Sequence, residues 1–343
     1  MSDMKKIILF LVAFISLNST NAQSGKTEDV KKQLATENKD TVAFIYGGIF
    51  NLGFNEGFIH NWPAGGELAS ITASAVFSGF TISMRHRHIW TNNLDLNYGL
   101  FYAYSNMFVP RKIDDRIDFT SKYGIRLDTA SDFYITGLLN FKSQFTKAYD
   151  YTAPGWDTFS TSRFLSPAYL TAAIGVEYRK GSNLSLFLSP IAGRLTFVDK
   201  YYTLMNAEGA FGVEYGKTTR VELGAYFTGR YMVDITKNIS FKTRLDLYAN
   251  YLAKDSKDSL GNVVKKDNPG NVDVLFDNLL ACKIGKYISV TLGATMIYDN
   301  DIPYKKTKTD PISGLEVPRD EPGMGLGWVQ LKQLFTIGFI YKF

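Results

Sequence analysis

The sequence predicts an all-β chain: a transmembrane, antiparallel, up-and-down β-barrel of about twelve strands with short periplasmic turns and long extracellular loops. Three observations predict it. Apolar and polar residues alternate with a period of two along segment after segment, as lipid-facing and lumen-facing positions must. The connections between segments alternate short and long. An export-type leader precedes them, and no later apolar run reaches the roughly 18 residues of a membrane helix.

The leader comes first. Lys5 and Lys6 form a basic start, Ile7–Leu17 is an apolar run, and Thr20 and Ala22 stand before Gln23 at positions suited to cleavage. This layout predicts a secretory signal peptide over residues 1–22, with an apolar run too short for a membrane helix. No Cys lies near the cleavage point, which argues against a lipid anchor. Residues 23–41 are polar and mixed in charge, and are expected to form a flexible periplasmic lead-in to a barrel over residues 42–343.

Composition agrees. Aromatics make up 15% of the chain, with 25 Phe and 21 Tyr, while charged residues still make up 21%. The single Cys282 excludes an internal disulfide, so an exported chain must be stable by other means; a closed hydrogen-bonded ladder supplies them. The net charge of +5 comes without a basic stripe or helix and does not point to nucleic acid.

In chain order, strands are expected at 43–54, 67–84, 90–105, 115–128, 131–145, 168–179, 183–198, 219–233, 237–252, 272–285, 287–298 and 333–343. The second loses its phase near Ser78 and Gly79, which predicts a bulge. In the fourth, Ile117, Phe119, Tyr123 and Ile125 alternate with Arg116, Asp118, Lys122 and Arg126. In the last, Phe335, Ile337, Phe339, Tyr341 and Phe343 share one face. A helix would bring charges back every three or four residues, and these segments do not. In the longest loop, 299–332, Pro303, Pro311, Pro318 and Pro322 argue against further strands.

The polar faces define the candidate site. They place Arg116, Asp118, Lys122, Arg126, Lys142, Glu177, Arg179, Arg220, Glu222, Arg230, Lys242, Arg244, Asp246 and Lys342 in the lumen. Buried charges are costly unless paired or wet, so two outcomes fit: a salt-bridged plug, or a narrow aqueous pore whose positive excess favours anions.

Catalytic chemistry finds little support. The three histidines are His60, His86 and His88, and no nucleophile, base and orienting partner can be assembled around them. Asp114 and Asp115 with His60 suit a rim protease in composition, but equally suit loop charges. The run Tyr298-Asp299-Asn300-Asp301 has carboxylates for a divalent cation, and more often such a run begins a loop. No metal, no cofactor and no enzyme activity are expected.

Phe339, Tyr341 and Phe343 resemble the C-terminal signal by which the barrel-assembly machinery recognises its substrates. The stretch His60-Asn61-Trp62-Pro63-Ala64-Gly65-Gly66-Glu67 is close to an NWxxGGE signature. Further matches are Arg111–Asp115, Ser121–Gly124, Phe164–Leu170, Ala210–Val213, Tyr298-Asp299 and the terminal Tyr341-Lys342-Phe343. Through these the chain resembles a Bacteroidota family of outer-membrane barrels of unknown function. The resemblance implies a cell outer-membrane barrel and carries no activity. Physically, Gly65-Gly66 suits a tight turn and Trp62 a membrane interface.

The leading expectation is a passive pore or transporter for a small polar or anionic solute, in contact with outer-membrane lipid and inserted by the barrel-assembly machinery. The alternative is a non-enzymatic structural or interaction barrel displaying its long loops to a partner. A membrane-embedded hydrolase comes third.

Overall fold

The computed structural model describes residues 43–58, 69–128, 130–151, 157–181, 183–205, 209–257, 263–265, 268–285, 287–299, 307–309, 316–318 and 329–342. The expected signal peptide and lead-in, His60, Asn61, Trp62, Gly65, Gly66, Glu67, Asp301 and Phe343 lie outside these residues.

Twelve strands close into one antiparallel ring. They are β1 (Ala43–Phe58), β2 (Ala69–Arg85), β3 (His88–Ala103), β4 (Arg111–Arg126), β5 (Phe133–Ser143) and β6 (Ala168–Lys180). Then follow β7 (Leu184–Phe197), β8 (Thr219–Asp234), β9 (Ile239–Asn250), β10 (Val272–Ile284), β11 (Ile288–Tyr298) and β12 (Gln330–Lys342). Each strand pairs with its neighbours in sequence, and β1 pairs with β12 to close the ring. Closure leaves no barrel edge without a hydrogen-bonding partner strand, which is what a bilayer interior demands of a sheet. The connections 86–87, 127–132, 181–183, 235–238 and 285–287 gather at one end, the turn end. The long ones gather at the other, the loop end.

The outward face is apolar. Phe44, Phe54, Trp90, Ile135, Ile174, Leu188, Ile191, Val221, Leu331, Phe335 and Ile337 are all exposed. Such a continuous apolar exterior is untenable in water and suits lipid. Two pairs of its polar groups satisfy each other: the Trp90 indole N–H donates to Ser121 Oγ at 3.0 Å, and Thr243 Oγ1 donates to Asn278 Oδ1 at 2.8 Å. Among the described residues no helix is long and apolar enough to cross a membrane.

The expected bulge at Ser78 and Gly79 is corrected. There β2 runs in unbroken register, with Ile49 and Asp95 opposite Ser78, and Gly48 and Leu94 opposite Gly79. The phase fades because the inner face itself turns apolar toward the turn end, where Ile45 and Ile89 are buried and Ile82 stands opposite Ile45. The irregularities fall elsewhere. Register shifts between Gly99 and Leu100 on β3, and on both sides of β7 around Ser189 and Pro190. Pro190 has no N–H for a ladder, so a bulge is where a central strand can carry it. Ser189 Oγ sits 2.8 Å from the Ile174 carbonyl and fills the gap.

Among the described residues, parts of the loop end are themselves folded. Short strands Ala148–Tyr149 and Ser160–Ser162 pair, and α1 (Lys200–Met205) packs through Tyr202 against Val198 and Val213. Tyr202 Oη lies 2.8 Å from Ser160 Oγ, tying the two loops together, and Arg163 bridges to Asp199. Ala210 and Val213 exchange backbone hydrogen bonds of 3.0 and 2.9 Å across Phe211 and Gly212, both in the left-handed region with φ of 52° and 77°. That requirement accounts for the glycine at 212. The expectation of no further strands in 299–332 is corrected too. Thr307–Thr309 pairs with Glu316–Pro318, and Pro318 sits at the ribbon's end, where a missing N–H costs little.

Candidate functional site

The inner face gathers the polar residues. At its centre Arg244 on β9 donates to Asp118 on β4 at 2.7 Å and to its strand-mate Asp246 at 2.6 Å. Arg244 and Asp118 are 5% and 1% exposed, so both charges are out of bulk water. Asn140 donates to Asp118 at 2.7 Å, Thr228 to Asp246 at 2.7 Å, and Lys142 reaches Asp246 at 3.1 Å. The carboxylates are thus held by hydrogen bonds as well as by charge, which buried ion pairs need to offset desolvation.

Two further pairs cross between opposite walls. Arg116 on β4 bridges to Asp277 on β10 at 2.8 Å, and Lys242 on β9 to Asp95 on β3 at 3.3 Å. In a ring of twelve these strands stand six apart, so each bridge spans the lumen.

Two satellite clusters flank the centre. Toward the loop end, Arg194 bridges to Glu222 and Asp273, each at 2.7 Å, and stacks over the Tyr248 ring at 4.0 Å. Arg220 adds a 3.1 Å bridge to Glu222. Toward the turn end, Glu177 receives Lys122 at 3.2 Å, Arg179 at 3.5 Å, Thr136 at 3.1 Å and Ser185 at 2.6 Å. Arg126 is held by the Tyr134 hydroxyl at 2.9 Å.

All thirteen charges expected inside from Arg116 to Asp246 therefore lie on the inner face; the side chain of Lys342 is outside the described residues. Sequence reasoning missed Asp95, Asp114, Asp273 and Asp277 among the acids, and Arg194 and Lys332 among the bases. Lys332 bridges to Asp114 at 2.7 Å. Four of these had a legible signal, since Asp95 lies between Leu94 and Leu96, Asp273 between two valines, Asp277 just after Phe276, and Lys332 next to Leu331. Arg194 had none, because the β7 bulge resets the alternation just before it. The missed residues add four acids against two bases and narrow the positive excess.

Two of the other candidates, Asp115 and His88, make contacts within the fold. Asp115 accepts the backbone N–H groups of Phe145 at 2.6 Å and Thr146 at 2.9 Å, and so pins a loop. His88 Nδ1 lies 2.9 Å from the Tyr123 hydroxyl on the exterior. Among the described residues no three His, Cys, Asp or Glu side chains cluster as metal ligands.

Residues 54–149 match the model of a family described as protein of unknown function (DUF3078). That interval contains the His60–Glu67 stretch singled out above. No curated protein matches the chain. Among solved structures, the chain is similar to the translocator domain of the autotransporter NalP from Neisseria meningitidis, at 10% identity and a TM-score of 0.33, with 94% of this chain and 95% of that one covered. An outer membrane channel from Pseudomonas putida F1 matches at 9% identity and a TM-score of 0.32, covering 90% and 98%. BamA from Haemophilus ducreyi lacking POTRA domains 1–3 matches at 10% identity and a TM-score of 0.23, covering 95% and 80%.

Proposed function

We propose that the protein is an outer-membrane barrel whose lumen is held shut by ion pairs between opposite walls, and that it serves as a non-enzymatic scaffold presenting its folded loop end to a partner. The observation that carries this reading is the crossing of the lumen by Arg116–Asp277, Lys242–Asp95 and Arg244–Asp118. An open pore keeps charged walls apart with water between them, whereas these walls bond to each other. Location rests on the lipid-compatible exterior together with the export leader, and the short turns are assigned to the periplasm. Insertion by the barrel-assembly machinery rests on the aromatic closing strand with Phe339 and Tyr341 outward.

A second reading, passage of a small anion, is favoured by the positive excess that remains inside. It requires the crossing pairs to part. Planar-bilayer recording separates the two. The refolded mature protein is expected to give no steady steps, and Arg244→Ala with Arg116→Ala is expected to open conduction. Steady, anion-selective steps from the unaltered protein would overturn the closed-scaffold reading.

A further inference from the structure

One row of the inner wall carries more positive charge than its carboxylates answer. In register across β6, β7, β8 and β9, Arg179 stands opposite Ser185, Ser185 opposite Arg230, and Arg230 opposite Arg244. Like charges set side by side on a sheet repel, so the row needs anions to sit comfortably.

The central carboxylates are already taken. Asp118, Asp246 and Asp95 are matched by Arg244, Lys142 and Lys242. Glu177 alone is left for Lys122, Arg179 and Arg230, and it pairs with the first two. Asp95 and Asp246 act on Arg230 only at longer range. Its hydrogen bond is to a neutral group, Thr120 Oγ1 at 3.1 Å.

Donors are also left over. Arg179 Nη1 and Arg230 Nε are buried and have no hydrogen-bond partner among the described residues. Buried guanidinium N–H groups without acceptors are rare, because each forfeits its hydration for nothing. Between them Ser185 Oγ accepts from Lys122 Nζ at 3.1 Å and donates to Glu177 Oε1 at 2.6 Å, so the donors left for an anion are those of the two guanidinium groups.

We infer that Arg179 and Arg230, flanking Ser185 on the turn side of the Asp118–Arg244 bridge, form a binding site for a small tetrahedral oxyanion of the phosphate class. A planar guanidinium presents paired N–H donors that suit such an oxygen array, and two of them, from β6 and β8 on either side of β7, make a clamp. Lys122 supplies a third positive charge. The site does not depend on whether the lumen conducts.

The test is titration calorimetry of the folded mature chain in detergent with inorganic phosphate, in a phosphate-free buffer, with heat-dependent gel mobility as the check on folding. Saturable binding is expected. Arg230→Gln and Arg179→Gln should each weaken it by about tenfold or more, the loss of charge-assisted hydrogen bonds. Arg230→Lys keeps the charge but not the fork and should fall between. Lys217→Gln, on the exposed loop end and paired with Glu214, should bind as the unaltered protein does. If Arg179→Gln fails to fold, the two Arg230 variants decide. A folded protein that takes up no phosphate saturably, or folded Arg230 variants that bind unchanged, would overturn the inference.

Discussion

At Asp118 a single carboxylate meets Arg244 from the far wall and Asn140 from the next strand, with almost no solvent. Removing one member of such a set strands the others. Arg244→Ala leaves Asp118 and Asp246 buried without their guanidinium, and is expected to cost about 3–5 kcal/mol. Urea unfolding in lipid vesicles would measure it, and a combined Arg244→Met, Asp118→Asn variant should lose less, because Asp246 alone stays charged there and it keeps Lys142. A second residue carries a pH dependence. Asp199, in the loop-end cap, is held below the usual carboxylate range by the Tyr201 backbone N–H and then by Arg163. Its stabilising effect is therefore present above the ordinary carboxylate pKa and is lost as pH falls through the depressed one. Amide exchange over residues 198–205 and 209–217, corrected for the intrinsic rate, should accelerate on acidification, and Asp199→Asn should remove that dependence. Single residues of this kind were half legible. Alternation names Asp118 and Arg244 as inward, but nothing in a sequence says that two residues 126 apart will meet.

Among elements, β7 departs most from regular pairing. Because Ile174 faces Ile191 and Val176 faces Leu188, Gly175 on β6 stands against the bulged Ser189 and Pro190. A Cβ at Gly175 would lie 2.1 Å from the Leu188 carbonyl oxygen, whereas one at Gly137 would meet nothing within 4 Å. Gly175→Ala is thus expected to destabilise by about 1–3 kcal/mol, the usual cost of forcing atoms into a packed place. Gly137→Ala on the lipid face should stay within about 0.5 kcal/mol. Equal losses at the two sites would contradict the bulge geometry. All twelve strands were legible because lipid on one side and polar atoms on the other write a two-residue period into each. The bulges and α1 were not. A bulge adds one residue without changing composition, and α1 owes its six residues to packing of Tyr202 on Val198 and Val213. The prolines of 299–332 misled for a related reason: they exclude a central strand but tolerate the end of a short ribbon.

For the molecule as a whole, the ring predicts retarded unfolding in detergent, visible as a gel band that shifts only after boiling. The ring is also uneven. β1 meets β12 over six register pairs, against sixteen with β2. Every other pairing in the barrel joins strands that follow one another in sequence, so each can zip as a local event. The β1–β12 seam instead brings together Phe54 and Ile337 and carries nearly the whole chain's closure entropy on the shortest ladder. A cross-seam disulfide from Asn51→Cys and Ile340→Cys, which stand opposite each other, should raise the temperature of the band shift; the same pair of thiols left reduced should not. An unlatched seam would expose two raw strand edges to hydrocarbon that cannot bond them. The barrel therefore has a direction in time: hairpins first, latch last, and in unfolding the latch is where it opens.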